Sequence, residues 1–509
     1  MTTERRAMRK IVQVATHFLM VLILASLFVT RGAGGRAGAP PDQTAPPFDP
    51  ARTFPPDELQ ADLQVLWDVL EEGHGGFERY TPAAELRKEF DAVRDGLKGP
   101  LTRFDFFARL LPLVASIKDG HTRLSLPPRP DAYLDSRPVL FPLGLRLVGD
   151  RAYVLKDFSL DRGVGEGAEL LAIAGRPFGS VLAALLPLVP ADAGIRTAKL
   201  RRLEPPAAFS RLFGLRFGWR ESFRIKFRPF KAEGVREITV PGLTAVDLAR
   251  LRQERYPEAA KPRPAYELTS AGPMAVLTIR QFGDDPDQTR PRFPDFLTQT
   301  FLALEEKKTP GLVIDLRGNG GGFDEYGKFL FAHVMDRPFL YYWALETKKD
   351  RYDLFRYTDE TAESAEELAR PLRKNARGWF DVLGHPNRGL QSTRKPHFAG
   401  RVAILIDGGS FSATGETTSA FHYYKKAVFF GEECGAGYYG NTSGFMVTAT
   451  LPKTRIEVRV PLILYTMAVE GYPKDRGLVP DILVTPTIED LMAGRDPVMD
   501  RALAWLQKR

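Results

Sequence analysis

Two glycine-rich segments, each directly after an apolar run, constrain the fold of this chain most strongly. The run at 312–316 precedes a segment with four glycines at 318–322, and the run at 402–406 precedes Asp-Gly-Gly-Ser-Phe-Ser at 407–412. Continuous apolar runs of this length are typical of strands buried on both faces. We therefore expect an α/β core at 262–495 whose strands end in glycine-rich turns. Further predicted elements of this core are a strand at 274–279 and helices at 293–307, 324–335 and 412–425.

The chain before this core changes pattern twice. Leucines at three- and four-residue spacing between 59 and 70 begin a region, 57–130, that predicts a small helical domain. Short β runs separated by glycines follow at 131–245, with one apolar helix at 181–186. A Pro-rich linker is predicted at 39–56, and the polar stretch 338–400 is interpreted as an insertion near the site. The chain therefore predicts three folded parts joined in series.

The positive charge is concentrated at the N-terminus. The 509 residues carry a formal net charge of +8, of which residues 1–40 hold +5. That segment places arginines before an apolar stretch at 18–29 and then small residues, which is typical of an export signal. We interpret 1–38 as a signal peptide, with an uncleaved membrane anchor as the alternative. The nearly neutral remainder argues against a nucleic-acid partner.

Several chemistries are disfavoured by what the sequence lacks. Cys434 is the only cysteine, so neither an intramolecular disulfide nor a cysteine cluster for zinc or iron–sulfur can form. Its setting, without a nearby histidine, argues against a thiol nucleophile. Phe323 stands where a dinucleotide-binding loop has its last glycine, and no His-Glu-x-x-His motif is present. We expect no cofactor and no metal.

The segment around Ser412 has the parts that serine catalysis needs. A serine hydroxyl needs a base, and the oxyanion needs preorganised N–H groups. Ser412 would begin a helix, so the N–H of Ala413 would point toward the site. Gly320 or Gly321, in the neighbouring turn, would supply the second donor.

These motifs together resemble the C-terminal processing (tail-specific) serine peptidases and their tricorn-type relatives. The matching stretches, in the family's order, are HGGFERYT (74–81), SIKDGHTRL (116–124), GAELLAIAGRP (167–177), VIDLRGNGGG (313–322), LIDGGSFSATGE (405–416) and GLVPDI (477–482). The resemblance implies an α/β multidomain fold with an N-terminal helical domain, a PDZ-like module and a ClpP/crotonase-like catalytic core.

The resemblance also implies roles for single residues. Ser412 matches the nucleophile, and Ala413 with Gly320 or Gly321 matches the oxyanion donors. One branch of the family uses a lysine base, but Gly437 stands at that position. The tricorn-type branch uses histidine and glutamate, which match His121 and Glu470, the latter 58 residues beyond Ser412. Structural roles are expected for His74, Asp119, Arg317 and Glu416.

The function implied is that of an exported serine endopeptidase, periplasmic or extracellular, with polypeptide substrates. A non-catalytic scaffold of the same fold, binding peptides or apolar ligands, is the alternative. If His121 is the base, kcat/KM should fall on the acid side with an apparent pKa of roughly 6–7. The oligomeric state and the substrate stay open.

Overall fold

A six-stranded, mostly parallel sheet forms the core of the C-terminal half. The first two strands are antiparallel and the others are parallel. In spatial order the strands are Tyr266–Ala271, Met274–Ile279, Gly311–Asp315, Arg401–Ile406, Val428–Gly431 and Ile482–Leu483. The inner strands are buried on both faces, which confirms the prediction from their apolar runs.

Helices cover both faces of this sheet because successive strand residues point to opposite sides. On one face, Val313 and Leu405 pack against the C-terminal helix Pro497–Gln507. On the other, Ile314 and Ile404 belong to the large apolar cluster. The helices on the chain between these strands are Phe293–Glu306, Asp324–Ala332 and Ala413–Tyr423, each close to its predicted range, and a short helix, Ile488–Met492, follows the last strand.

This computed structural model describes residues 48–260, 263–286, 290–360 and 372–508. The predicted signal segment at 1–38 and the first half of the predicted linker, 39–47, lie outside the described residues. No helix among those described has the length and apolar content needed to cross a membrane.

A second sheet takes three of its strands from 338–400, the polar stretch interpreted from the sequence as an insertion. Tyr342–Thr347 lies inside this sheet and pairs with Glu457–Met467, because Tyr342 and Leu345 are apolar enough to be buried. The strands in order are Leu372–Lys374, Phe380–Val382, Tyr342–Thr347, Glu457–Met467 and Thr442–Thr450, with Arg123–Ser125 also paired to Glu457–Met467. The strands at 442–467 were not predicted either.

A third sheet occupies the region of predicted β runs. Its strands are Leu143–Val148, Arg151–Asp157, Glu169–Ile173, Ser222–Arg228 and Arg236–Pro241, with Arg176–Pro177 paired to the third. The helix Phe178–Leu185 matches the predicted apolar helix. The sequence patterns missed the other helices of this region, Arg196–Leu203, Pro206–Phe217, Ala245–Arg255 and Pro257–Ala260, and the turn Asp192–Gly194.

The N-terminal helices pack against the second sheet. Asp62, buried in the first helix, accepts hydrogen bonds from the N–H groups of Lys453 (2.9 Å) and Thr454 (2.7 Å). The helices are Pro56–Gly73, Ala83–Asp95, Arg103–Ser116 and Pro128–Ser136. The remaining described elements are two short strand pairs and two 3-10 turns. Thr53–Phe54 pairs with Leu101–Thr102, Phe339–Leu340 pairs with Leu390–Gln391, and the turns are Leu186–Leu188 and Asp353–Tyr357.

Candidate active site

Ser412 occupies a strained backbone position immediately before the helix Ala413–Tyr423. Its φ of 56° and ψ of −128° lie in a region that residues with a side chain rarely adopt. Such a conformation costs about 1–3 kcal/mol and persists only where the surroundings enforce it. The Ser412 side chain does not cap the helix. Its hydroxyl is therefore available to a group outside the helix.

The turn before Ser412 is fixed by side-chain hydrogen bonds. Asp407 Oδ1 accepts from the N–H groups of Gly409 (2.9 Å) and Gly318 (2.8 Å), which ties the two glycine-rich turns together. The buried hydroxyl of Ser410 donates to the carbonyl oxygen of Leu316 at 2.8 Å. Ser410 is thus engaged in holding the turn, and Ser412 is the serine left to react.

The structure brings His121 to Ser412. His121 Nε2 lies 3.0 Å from Ser412 Oγ, although 291 residues separate them in sequence. The imidazole packs on the ring of Phe411, with centroids 4.6 Å apart. Arg202 also packs on Phe411, with its guanidinium carbon 4.8 Å from the ring centre. The predicted nucleophile and base are therefore within hydrogen-bond reach.

Asp119 shapes the turn that carries His121. Its Oδ1 accepts from the backbone N–H groups of His121 (2.9 Å) and Thr122 (2.8 Å), and its Oδ2 accepts from the Thr442 hydroxyl. Burial opposes its charge, but the hydrogen bonds and the nearby His74 and His121 hold the pKa of Asp119 well below its usual range. Asp119 therefore stays anionic beside the imidazole.

His74 is buried behind the same turn. Its Nδ1 accepts from the N–H of Gly76 at 3.0 Å, so Nε2 carries the ring proton. Nε2 lies 2.7 Å from Thr122 Oγ1, and that hydroxyl donates to Asp119 at 2.9 Å. These contacts agree with the structural role expected of His74.

Burial lowers the pKa of His121 to about 4, against an ordinary value of 6.5. The anionic Asp119 raises it, while Arg202, Arg459 and His74 lower it further. The imidazole is therefore neutral near pH 7 and ready to accept a proton. This pKa lies below the 6–7 expected from the sequence for a histidine base, because the sequence does not reveal the burial of His121 or its two arginine neighbours.

The three predicted oxyanion donors differ in what their N–H groups do. Within the described residues, the N–H of Ala413 makes no hydrogen bond, and neither does that of the exposed Gly320. The N–H of Gly321 instead donates to Asn319 Oδ1 at 2.9 Å. A Cβ at Gly321 would lie 2.7 Å from that of Ser412. Gly321 therefore serves by close packing, and its N–H is not free.

The structure does not bring Glu470 to His121. The Glu470 side chain is exposed, and the Tyr423 hydroxyl donates to its Oε1 at 3.5 Å. His121 Nδ1 is buried and has no hydrogen-bond partner in the described part of the chain. Spacing along the chain matched Glu470 to the family's acid, but spacing does not fix where the side chain points, and here it points to Tyr423. The predicted hydrogen bond from His121 to Glu470 is absent.

The carboxylates of Asp119 and Asp192 both lie close to the imidazole of His121. Three atoms lie within 4.8 Å of one another: one carboxylate oxygen of Asp119, one of Asp192 and a ring nitrogen of His121. The set resembles a cation site, but both carboxylates already accept backbone N–H groups. Asp192 carried no sequence signal, because it lies 71 residues from His121 in a region of predicted β runs.

Other predicted structural residues lie where that role requires. Arg317 makes paired hydrogen bonds to Asp315 and Asp496, joining the strand end to the C-terminal helix. Glu416, buried in the helix that follows Ser412, accepts from Tyr342 (2.6 Å) and Asn441 (2.8 Å). Cys434 is buried, and burial raises the pKa of its thiol to about 12, which disfavours a thiolate.

Comparisons with known proteins relate part of this chain to a peptidase family. Residues 273–484 match the model of peptidase family S41. Over 98 residues the chain is 33% identical to the carboxy-terminal processing protease CtpB of Bacillus subtilis (strain 168), a match that covers 17% of this chain and a fifth of CtpB.

Solved structures share the fold. The crystal structure of mature CPAF has a TM-score of 0.57 at 16% identity, covering 89% of this chain and 95% of CPAF. A serine-to-alanine mutant of CPAF gives a TM-score of 0.59 at 16% identity, with coverage of 89% and 98%. This chain thus shares its mixed α/β multidomain architecture with CPAF. The match at residues 273–484 therefore relates this chain to peptidase family S41, and together with the CtpB match it supports a serine peptidase.

Proposed function

We propose that this chain is an exported serine endopeptidase that hydrolyses polypeptides through an acyl-enzyme. The observation that carries the proposal is the 3.0 Å distance from His121 Nε2 to Ser412 Oγ. Ser412 is the proposed nucleophile and His121 the proposed general base. The N–H groups of Ala413 and Gly320 are the proposed oxyanion donors.

The proposed reaction moves one proton between the two side chains. His121 Nε2 takes the Ser412 hydroxyl proton as Oγ bonds to the peptide carbonyl carbon. The carbonyl oxygen becomes an oxyanion beside the N–H of Ala413, at the positive end of the helix. The protonated His121 then gives its proton to the departing amine, and water repeats the sequence to release the acid.

Burial makes the imidazolium step demanding. The environment that keeps His121 neutral also penalises its protonated form, with Arg202 and Arg459 adding repulsion. Asp119 is the nearby anion that offsets this penalty. Glu470, proposed from the resemblance as the third member, would need to move its side chain away from Tyr423 to contribute.

Further parts of the proposal concern the rest of the chain. The sheet between Leu143 and Pro241 is the proposed PDZ-like module, within the predicted bounds 131–245. The helical region 57–130 and the core 262–495 are its proposed neighbours. Export is proposed from the basic and apolar pattern of residues 1–38.

Hydrolysis of casein by the wild type, Ser412→Ala and His121→Ala tests the chemistry. We expect both variants to lose at least about 1,000-fold in kcat, as triad members do. A fluorophosphonate probe should label the wild type and not Ser412→Ala. Wild-type protein that neither hydrolyses casein nor accepts the probe would favour the non-catalytic scaffold instead.

A further inference from the structure

Asp192 lies in a turn that clamps the segment before His121. The turn Asp192–Gly194 is buried at Asp192, whose side chain is 1% exposed. Asp192 Oδ1 accepts from the N–H of Gly120 at 2.7 Å, and the N–H of Ala193 donates to the carbonyl oxygen of Lys118 at 3.0 Å. Two hydrogen bonds thus fix the backbone that leads into the catalytic histidine.

The second oxygen of Asp192 reaches a loop beside the nucleophile. Oδ2 accepts from the N–H of Gly437 at 3.1 Å. In the same loop, the N–H of Gly435 donates to the carbonyl oxygen of Ser410 at 2.9 Å. One carboxylate therefore joins the histidine segment to the loop that supports the serine turn.

Asp192 also brings charge close to the imidazole. Its carboxylate is part of the group whose atoms, with Asp119 and a ring nitrogen of His121, lie within 4.8 Å of one another. An anion at this distance stabilises an imidazolium that burial and two arginines disfavour. Among the described residues, no other carboxylate oxygen joins this group.

We propose that Asp192 is a positioning residue for the reaction, holding His121 against Ser412 and stabilising the imidazolium when ionised. This inference rests on the proposed function. It assigns to a buried aspartate from the third-sheet region a task that the resemblance gave to Glu470. Asp192 touches no reacting atom and acts through His121.

The ionisation of Asp192 predicts a pH dependence. The pKa of Asp192 is raised to about 6, first by burial and then by the like charge of Asp119. Hydrogen bonds from the N–H groups of Gly120 and Gly437 and the positive charge of Arg79 act in the opposite direction and lower it. Two more groups face it, the cationic Arg202 and the phenol of Tyr80. His121 itself stays neutral down to about pH 4. The acid limb of kcat/KM should therefore follow Asp192 near pH 6.

Asp192→Asn tests this with a matched control. Asn keeps the shape but loses the charge and one acceptor, so we expect kcat to fall about 10–100-fold with KM within about 3-fold. Its acid limb should move to lower pH. Asp192→Glu, which keeps the charge, should lower kcat but retain the limb near 6. Asp62→Asn is the matched control, because Asp62 is also a buried aspartate that accepts two backbone N–H groups, but those of Lys453 and Thr454. This variant should leave kcat and the acid limb of kcat/KM unchanged.

The outcomes separate this inference from the proposed function. An active wild type with Asp192→Asn unchanged in kcat and pH profile overturns the role of Asp192 and leaves the peptidase intact. A wild type without hydrolysis or fluorophosphonate labelling overturns the peptidase itself. If circular dichroism shows that Asp192→Asn does not fold, the role of Asp192 is tested instead by the pH dependence of fluorophosphonate labelling of the wild type. A midpoint near 6 supports Asp192, and one near 4 contradicts it.

Discussion

Replacing Gly321 by alanine should disable catalysis through contact with the nucleophile. A Cβ at this position would lie 2.7 Å from Ser412 Cβ and 3.0 Å from the Ala413 nitrogen. Carbon atoms pack best at about 3.5 Å or more, so Ser412 or the glycine backbone must shift by about 0.8 Å. A misplacement of about 1 Å at reacting groups lowers rates about 100-fold.

The same substitution also strains the backbone. Gly321 has φ of 102°, where a residue with a side chain costs about 1–3 kcal/mol. We therefore expect Gly321→Ala to lose about 30–100-fold in kcat/KM and about 2–3 kcal/mol of unfolding free energy. The assays are casein hydrolysis, fluorophosphonate labelling rate and urea unfolding.

Two nearby glycines serve as controls. Gly320 has no atom within 4 Å of an added Cβ, and alanine there keeps the N–H, so activity should stay within about 5-fold. Gly318 has φ of 70° but open space, so alanine there reports strain without crowding. Its variant should lose stability and little activity. Gly321→Ala with activity within 3-fold of the wild type would refute the reasoning.

Two further predictions concern residues named from the sequence. Glu470→Gln should lower kcat by less than about 10-fold, because the Glu470 side chain is exposed and contacts Tyr423. A loss of about 10,000-fold, as expected for an acid that orients the catalytic histidine, would show that Glu470 acts on His121. Cys434→Ala should retain at least half of the wild-type activity, and iodoacetamide should modify Cys434 only after unfolding, because the thiol is buried with a raised pKa. Rapid labelling of the folded protein, or an inactive Cys434→Ala variant that is still folded, would contradict this.

The catalytic core was largely predictable from the sequence. The apolar run at 402–406 and the turn after it predicted a strand followed by a helix, and the structure has them at Arg401–Ile406 and Ala413–Tyr423. Local patterns suffice here because a buried parallel strand is apolar throughout. The approach of His121 to Ser412 was expected only from the resemblance, since spacing alone cannot place two residues in contact.

Other features depended on long-range packing. Asp192 contributes through backbone N–H groups of Gly120 and Gly437, and no side-chain pattern marks such contacts. The strand Tyr342–Thr347 was hidden in a polar segment because only part of it is apolar. The spacing of Glu470 from Ser412 matched the family, but spacing does not record which way a turn directs its side chain. The lowered pKa of His121 comes first from its burial and then from Arg202 and Arg459, which are remote from it in sequence.

The 291-residue separation of His121 and Ser412 has a consequence for the timing of activity. Contacts between distant parts of a chain form late, because loop closure must precede their stabilisation. The hydrogen bond between these residues also requires the second sheet, whose strand Arg123–Ser125 pairs with Glu457–Met467. A chain still emerging from the ribosome lacks that partner strand. The nascent protein therefore cannot hold His121 against Ser412 through this strand pair until its C-terminal segment has been synthesised and has folded.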